Sequence, residues 1–307
     1  MSSPGWVDLQ VNGYAGVDFN SDDLTLEETL AVCRRLKADG VAGILATVIT
    51  APLDRMIARL AKLAGWIDEI PEVAGSLIGL HVEGPFINPQ IGFVGAHPPD
   101  AVLPATVDAT SRLLDAGKGH VRVLTLAPEF DAGFATTRHL HDQGIVVAAG
   151  HSDASLDQLR GAIDAGLKLY THLGNGCPAV LPRHDNIIQR VLSLADSLAI
   201  SLIADGHHLP RLALSNFLRW IPDENIIVVS DAISAAGLGP GDYRLGNQTV
   251  HVDQAGACWA ADRIHFAGSA ATLPQMHQVL KSIGADESQI DRWLRANPSR
   301  LLGMATR

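Results

Sequence analysis

Four side chains stand where apolar runs end, and their types suit hydrolytic chemistry: Glu83, His151, His172 and Asp231. The run Ile145 to Ala149 closes on Gly150-His151-Ser152, and Leu169-Tyr170-Thr171 closes on His172. Leu77 to Val82 leads into Glu83, and Ile226 to Ser230 into Asp231. Two imidazoles and a carboxylate with one coordination position left open are the ligand set of a catalytic zinc or another divalent metal. Asp231 then remains as general base, with a fourth-ligand or helix-capping role as the alternative. Taken singly, each residue reads as a hydrogen-bonded structural group. The recurrence at four strand ends is what points to a site.

These residues need elements that bring them together. Between the two histidine-terminated runs, Ser155 to Gly166 reads as an amphipathic helix: Ser155 caps it, Leu156, Leu159, Ala162 and Ile163 form its apolar stripe, and Gly166 stops it. The unit is βαβ, so its strands run parallel and both histidines leave the same, carboxyl edge. The pattern extends along the chain. Strands are expected at Trp6 to Gly13, Val41 to Val48, Leu77 to Pro85, Val121 to Ala127, Ala199 to His208 and Ile226 to Asp231. Helices are expected at Leu24 to Ala38, Leu53 to Ile70, Phe134 to Gln143, Ile187 to Leu194 and Pro210 to Trp220. Eight strands alternating with helices give a (β/α)8 barrel with its site at the carboxyl face, with a doubly wound open sheet as the runner-up. The loop after Glu83, through Phe86, Asn88, Gly92, His97 and Pro98, exceeds the roughly 2–6 residues usual for a βα connection, which marks it as functional. Residues 237–268 break the pattern with short β-like pieces, and helices Thr272 to Ile283 and Glu287 to Ala296 follow. The whole of 1–307 reads as a single barrel with that insertion.

Composition narrows the partners. With 307 residues and 47% hydrophobic content, the chain can bury a large core. A formal net charge of −10 gives no basic field for nucleic acid or an anionic membrane, so a small-molecule partner is expected. No run approaches the roughly 20 apolar residues of a membrane span, and Met1-Ser2-Ser3-Pro4-Gly5 lacks a secretory pattern, so a cytoplasmic location is expected. Cys33, Cys177 and Cys258 are odd in number and scattered, which argues for free thiols. Asn175-Gly176 could offer backbone N–H groups to a phosphate with Arg183 as its charge partner, His97 and His208 could touch substrate, and Asp205 reads as orienting its neighbour.

On these residues the chain resembles the N-acetylglucosamine-6-phosphate deacetylase family of the amidohydrolase superfamily. The motifs that carry the resemblance are Pro4-Gly5-Trp6-Val7-Asp8-Leu9-Gln10-Val11-Asn12-Gly13, His81-Val82-Glu83-Gly84-Pro85-Phe86, Ala148-Ala149-Gly150-His151-Ser152, Thr171-His172-Leu173, Ile203-Ala204-Asp205-Gly206-His207-His208, Val229-Ser230-Asp231-Ala232, Ala267-Gly268-Ser269 and Asn297-Pro298-Ser299-Arg300. The resemblance implies a metal-dependent deacetylase of an N-acetylamino sugar phosphate. Within it, Glu83, His151 and His172 hold one divalent metal ion, zinc ahead of iron, manganese or cobalt, and Asp231 is the catalytic acid and base. Asn175, Gly176 and Arg183 lie at the substrate phosphate, and His97 and His208 against the sugar and acetamido group. A homodimer is implied as well. Many amidohydrolases hold a second metal with a His-x-His pair on the first strand; Gln10 and Asn12 occupy those positions here, and neutral amides are poor zinc ligands, so one metal is expected. The family's small β-sandwich is expected to be missing or rudimentary, and Leu173-Gly174-Asn175-Gly176-Cys177 replaces the family's usual Leu-Tyr-Asn-Ala-Met. Two other readings stay open: hydrolysis of a different, unphosphorylated amide or cyclic amide, and a non-catalytic sugar-phosphate-binding homologue.

Overall fold

The computed structural model describes residues 5–304; Met1 to Ser3, Pro4 of the opening motif and residues 305–307 lie outside the described residues. Eight parallel strands follow one another around a barrel: β1 (Trp6–Val11), β2 (Val41–Ile49), β3 (Leu77–Glu83), β4 (Val121–Leu126), β5 (Val146–Ala149), β6 (Leu167–Tyr170), β7 (Ala199–Ile203) and β8 (Ile226–Val229). Each pairs with its sequence neighbours. The ring closes between β8 and β1 through a parallel bridge from Val11 to Ala232, where the Ala232 carbonyl accepts the N–H groups of Asn12 at 2.7 Å and Gly13 at 3.1 Å. The fold is a (β/α)8 barrel.

The strands are almost wholly buried because both faces are covered, one by the barrel interior and one by helices, which is why they read as continuous apolar runs rather than alternating ones. The helices on the outside are α1 (Leu26–Ala38), α2 (Leu53–Glu69), α3 (Val107–Ala116), α4 (Ala135–Asp142), α5 (Leu156–Asp164), α6 (Ile187–Leu192), α7 (Arg211–Trp220) and α8 (Leu273–Ser282). Their apolar stripes face the sheet, as with Met56, Leu60, Leu63, Ala64 and Ile67 of α2. Thr25 and Ser155 start α1 and α5 with reciprocal capping boxes to Glu28 and Gln158. Inside the barrel His81 ties three strands together: Nδ1 lies 2.9 Å from the Leu9 carbonyl and Nε2 2.8 Å from Thr125 Oγ1. Burial pushes its pKa down to about 4, so it is a neutral internal staple.

Two places depart from the sequence reading, and a third is filled in. Helix α3 lies between the long loop and β4, where no helix was expected; its stripe is short, with Ala109, Thr110 and Leu113 as its buried residues, so its periodicity is weak. The last helical segment, expected to end at Ala296, runs on through a π-type turn at Arg292–Ala296 into Asn297–Leu301, passing Pro298. Proline is tolerated there because it stands in the first turn of the new segment. Within residues 237–268 the β-like pieces form a three-stranded antiparallel sheet, β9 (Gly241–Leu245), β10 (Gln248–Val252) and β11 (Cys258–Trp259), with its own small apolar cluster. Its β9–β10 turn reaches back to the barrel: Gly246 N–H donates to Asp18, and Gln248 Nε2 donates to the Ala96 carbonyl.

Candidate active site

The carboxyl edge of the barrel carries the four residues at strand ends. Glu83 is the last residue of β3, and His151, His172 and Asp231 each stand two residues beyond β5, β6 and β8. The last three have positive φ, +50°, +33° and +48°, in the left-handed region that side chains other than glycine rarely adopt. Such strain persists only where the surroundings over-determine it, and it gathers at functional sites. Here the chain turns sharply off the strand and aims each side chain over the mouth.

Glu83 is the hub. Its Oε1 lies 3.0 Å from His172 Nε2, 3.3 Å from His151 Nε2 and 2.9 Å from Gln10 Nε2, all at under 6% exposure. The His151 and His172 rings are nearly perpendicular with centroids 4.8 Å apart. Burial pushes the Glu83 carboxyl up, but hydrogen bonds from His151 and His172 outweigh it and hold the group well below its usual range. His97, from the long loop, joins on the other side: its Nε2 lies 3.3 Å from His151 Nε2, and the donor atoms of Glu83, His97 and His151 fall within 4.8 Å of one another. His97 was expected against substrate; the structure also brings it into contact with His151.

The donor chemistry fits a divalent cation. His151 Nδ1 lies 2.7 Å from the Phe93 carbonyl and must donate to it, so in the neutral ring that a cation requires the Nε2 lone pair faces Glu83 and His97, where the metal-free site has an Nε2–H on Glu83 instead. A histidine whose outer nitrogen donates to a carbonyl while its inner nitrogen presents a lone pair is the arrangement of a metal ligand. His97 Nδ1 and His172 Nδ1 are buried without hydrogen-bond partners among the described residues. Burial first, then the neighbouring His151, pushes the His97 pKa down to about 3, so its imidazole is neutral at physiological pH. Two flanking glycines make room for the His151 ring. A Cβ on Gly95 would meet His151 Cε1 at 3.1 Å, and one on Gly176 would meet Nδ1 at 2.9 Å.

Asp231 is held by amides. Its Oδ1 accepts hydrogen bonds from Asn12 Nδ2 at 2.7 Å and Gln10 Nε2 at 3.1 Å, and Oδ2 has no hydrogen-bond partner among the described residues. The Gln10 amide is oriented by Thr171, whose hydroxyl donates to Gln10 Oε1 at 2.8 Å and so turns the NH2 group toward both carboxylates. The amide nitrogens thus act as donors between Glu83 and Asp231, where ligand lone pairs would be needed for a second metal. Burial, with the negative charge of Glu83 next, raises the Asp231 pKa to about 6, within reach of a proton-transfer role near neutrality.

Beyond β7, His208 Nδ1 lies 2.7 Å from Asp205 Oδ2, and Asp205 Oδ1 accepts the N–H groups of His207 and His208. Ser269 Oγ adds a fourth donor to that carboxylate at 3.1 Å. Burial acts to raise the Asp205 pKa, yet His208 and these donors bring it down to about 2. Asp205 therefore orients His208, whose ring packs beside Phe266 at 4.9 Å. The expected phosphate elements are only partly available. Asn175 N–H already donates to the His172 carbonyl at 2.9 Å, leaving Gly176 N–H as the unpaired one among the described residues. Arg183 is exposed on its loop and forms no ion pair among the described residues. The sequence reading missed Thr171 and the Phe93 carbonyl, since each acts through a contact with a residue distant in the chain.

Comparison with known proteins places this geometry among relatives. No protein-family model matches the chain. It is 30% identical to the N-acetylgalactosamine-6-phosphate deacetylase of Escherichia coli O157:H7 over 98% of this chain and 78% of that protein. It is 33% identical to the human N-acetylglucosamine-6-phosphate deacetylase over 98% of this chain and 74% of that protein. Among solved structures, a mutant N-acetyl-D-glucosamine-6-phosphate deacetylase from Mycobacterium smegmatis, in complex with N-acetyl-D-glucosamine-6-phosphate, superposes with a TM-score of 0.88 at 30% identity, covering 98% of this chain and 77% of that one. The Thermotoga maritima enzyme gives 0.83 at 30% identity, with 98% and 78% coverage.

Proposed function

Since the chain belongs to the N-acetylglucosamine-6-phosphate deacetylase family, we propose that it hydrolyses the acetamide of an N-acetylhexosamine 6-phosphate, releasing acetate and the amino sugar phosphate. The observation that carries this reading is that His151 and His172 both approach Glu83 Oε1, with His97 beside His151, next to an Asp231 carboxylate with one oxygen free among the described residues. Glu83, His151 and His172 would hold one divalent cation, with His97 close enough to share it. When bound, the ion supplies Lewis acidity that polarises the acetyl carbonyl and lowers the pKa of water. Asp231 takes the proton from the attacking water as its oxygen bonds to the acetyl carbon. The same carboxyl then gives that proton to the amine as the C–N bond breaks. Gln10 and Asn12 keep the base aimed by occupying Oδ1, so the proton travels through Oδ2. His208, oriented by Asp205, offers Nε2 to the acetamido group, and Gly176 N–H with Arg183 receives the phosphate.

The relatives act on both the gluco and the galacto sugars by name, so the test must span epimers. Acetate release should be measured on N-acetylglucosamine, N-acetylgalactosamine and their 6-phosphates, with metal content measured on the same preparation. A 6-phosphate should be the preferred substrate, and close to one equivalent of metal should be found. Preference for an unphosphorylated amide would replace the substrate assignment, and a protein that neither binds metal nor releases acetate would be a binding homologue instead.

A further inference from the structure

The long loop from Gly84 to Val102 carries His97 and passes directly over His151. Two of its contacts reach the His151 turn directly and a third reaches Glu129. The Phe93 carbonyl accepts from His151 Nδ1, Asn88 N–H donates to the His151 carbonyl at 2.9 Å, and Asn88 Nδ2 donates to Glu129 Oε1 at 3.0 Å. Glu129 stands just beyond β4 and belongs to neither segment. Its carboxylate also accepts Asp153 N–H at 2.7 Å on Oε1 and Ser152 Oγ at 2.6 Å on Oε2. One half-buried carboxylate therefore grips the loop through Asn88, itself 2% exposed, and the two residues that follow His151. Those residues follow directly on the left-handed backbone of His151, and Asn88 Oδ1 accepts Gln90 N–H to shape the loop's first turn.

We propose that Glu129 is a positioning residue that makes the His97 loop and the His151 turn a single unit, so that metal loading and loop order are one event. The physical basis is charge and geometry together. A carboxylate accepts from several N–H and O–H donors at once, and charge-assisted bonds of 2.6–2.7 Å are stronger than neutral ones. Fixing the turn after His151 fixes the imidazole. Fixing Asn88 settles the loop whose Phe93 carbonyl chooses the His151 tautomer and whose His97 completes the cluster. A cation that holds His151 then also favours the docked loop, and by reciprocity the docked loop favours the cation.

The inference rests on the metal site of the proposed function, and the test separates the two. Hydrogen exchange of peptides covering residues 86–97 is followed in wild type, E129A, E129Q and N88A, with Zn2+ and after chelation, and Zn2+ affinity is measured by competition with a chromophoric chelator. In wild type, chelation should raise exchange in the loop. E129A should exchange fast in both conditions and bind Zn2+ roughly tenfold or more weakly, as when a group supporting a ligand is removed. E129Q should fall between, since its single amide oxygen keeps part of the grip. N88A leaves Glu129 on Ser152 and Asp153, so it should free the loop with a smaller loss of affinity, and it carries the test if E129A fails to fold. Wild-type affinity and wild-type, Zn2+-dependent protection in E129A, or in E129Q and N88A if E129A does not fold, would overturn the proposal. A wild-type protein that takes up no Zn2+ would overturn both the linkage and the metal site.

Discussion

At the scale of single residues, the site depends on which atoms are already committed. Asp231 spends Oδ1 on Gln10 and Asn12 and keeps Oδ2 free. In Asp231→Asn the remaining oxygen can still accept both amide donors, so the geometry should hold while the base is lost. Turnover should fall about 10²–10⁴-fold with metal content unchanged, read by steady-state kinetics and elemental analysis on one preparation. Loss of the metal in this variant would make Asp231 a ligand. Arg183 is the proposed charge partner of the phosphate, yet it is exposed and forms no ion pair among the described residues, so its removal should cost less than that of a buried clamp. Arg183→Ala should lose about 1.5–3 kcal/mol of kcat/KM toward the 6-phosphate and little toward the neutral sugar; equal loss on both substrates would rule out the phosphate contact. Glu83, His151, His172 and Asp231 were legible in the sequence because each ends an apolar run, and strand ends on one edge of a barrel must meet. The Thr171 hydroxyl that turns Gln10, and the Phe93 carbonyl that selects the His151 tautomer, were not. A backbone carbonyl has no residue signature, and the Thr171 contact spans 161 positions.

At the scale of elements, strand ends and turns carry the constraints. Gly176 combines φ +60° with a Cβ direction that runs into the His151 ring at 2.9 Å. Gly176→Ala should therefore cost at least about 1–2 kcal/mol of stability for the left-handed conformation alone, and should weaken metal binding by displacing His151. A denaturant titration and a metal competition assay would show both; an unchanged metal affinity would mean the turn yields instead of the ring. Strands β1 and β8 share a buried carboxylate, Asp8, whose oxygens receive Ser230 N–H at 3.1 and 3.3 Å and Gln10 N–H at 3.2 Å. Burial raises its pKa to about 7. Unfolded, the group titrates near 4. The raised folded value means its stabilising contribution is full below about pH 4 and is lost as pH rises toward 7. Asp8→Asn keeps an oxygen for both N–H groups and removes the titration, so the variant should gain stability relative to wild type between pH 5 and pH 8. A difference that stays flat across that range would refute the raised pKa. The strand order was legible because a buried parallel strand needs an unbroken apolar run, whereas α3 was not, because ten residues with a short buried stripe do not display a helical period.

At the scale of the whole molecule, the barrel is a ring with one joint unlike the rest, short in its ladder and tied by side chains. Seven of its eight joints are ladders of paired residues, and the eighth, between β8 and β1, is a single bridge at Val11 and Ala232. The hydrogen bonds on the proposed base straddle that joint, with Gln10 and Asn12 on the β1 side and Asp231 on the β8 side. Architecture was readable from the count of strands, but the thinness of the closure is a matter of register, which periodicity leaves undetermined. In mild urea the ring should part at this joint before any helix melts. Activity should then decline at lower denaturant than far-ultraviolet circular dichroism, and coincident transitions would show that the joint is as firm as the rest. With activity lost first, the enzyme behaves as a fuse placed on its own closing clasp: heat, denaturant or a destabilising substitution anywhere in the ring would silence catalysis while most of the molecule still looked native, so loss of turnover would be the earliest warning of unfolding.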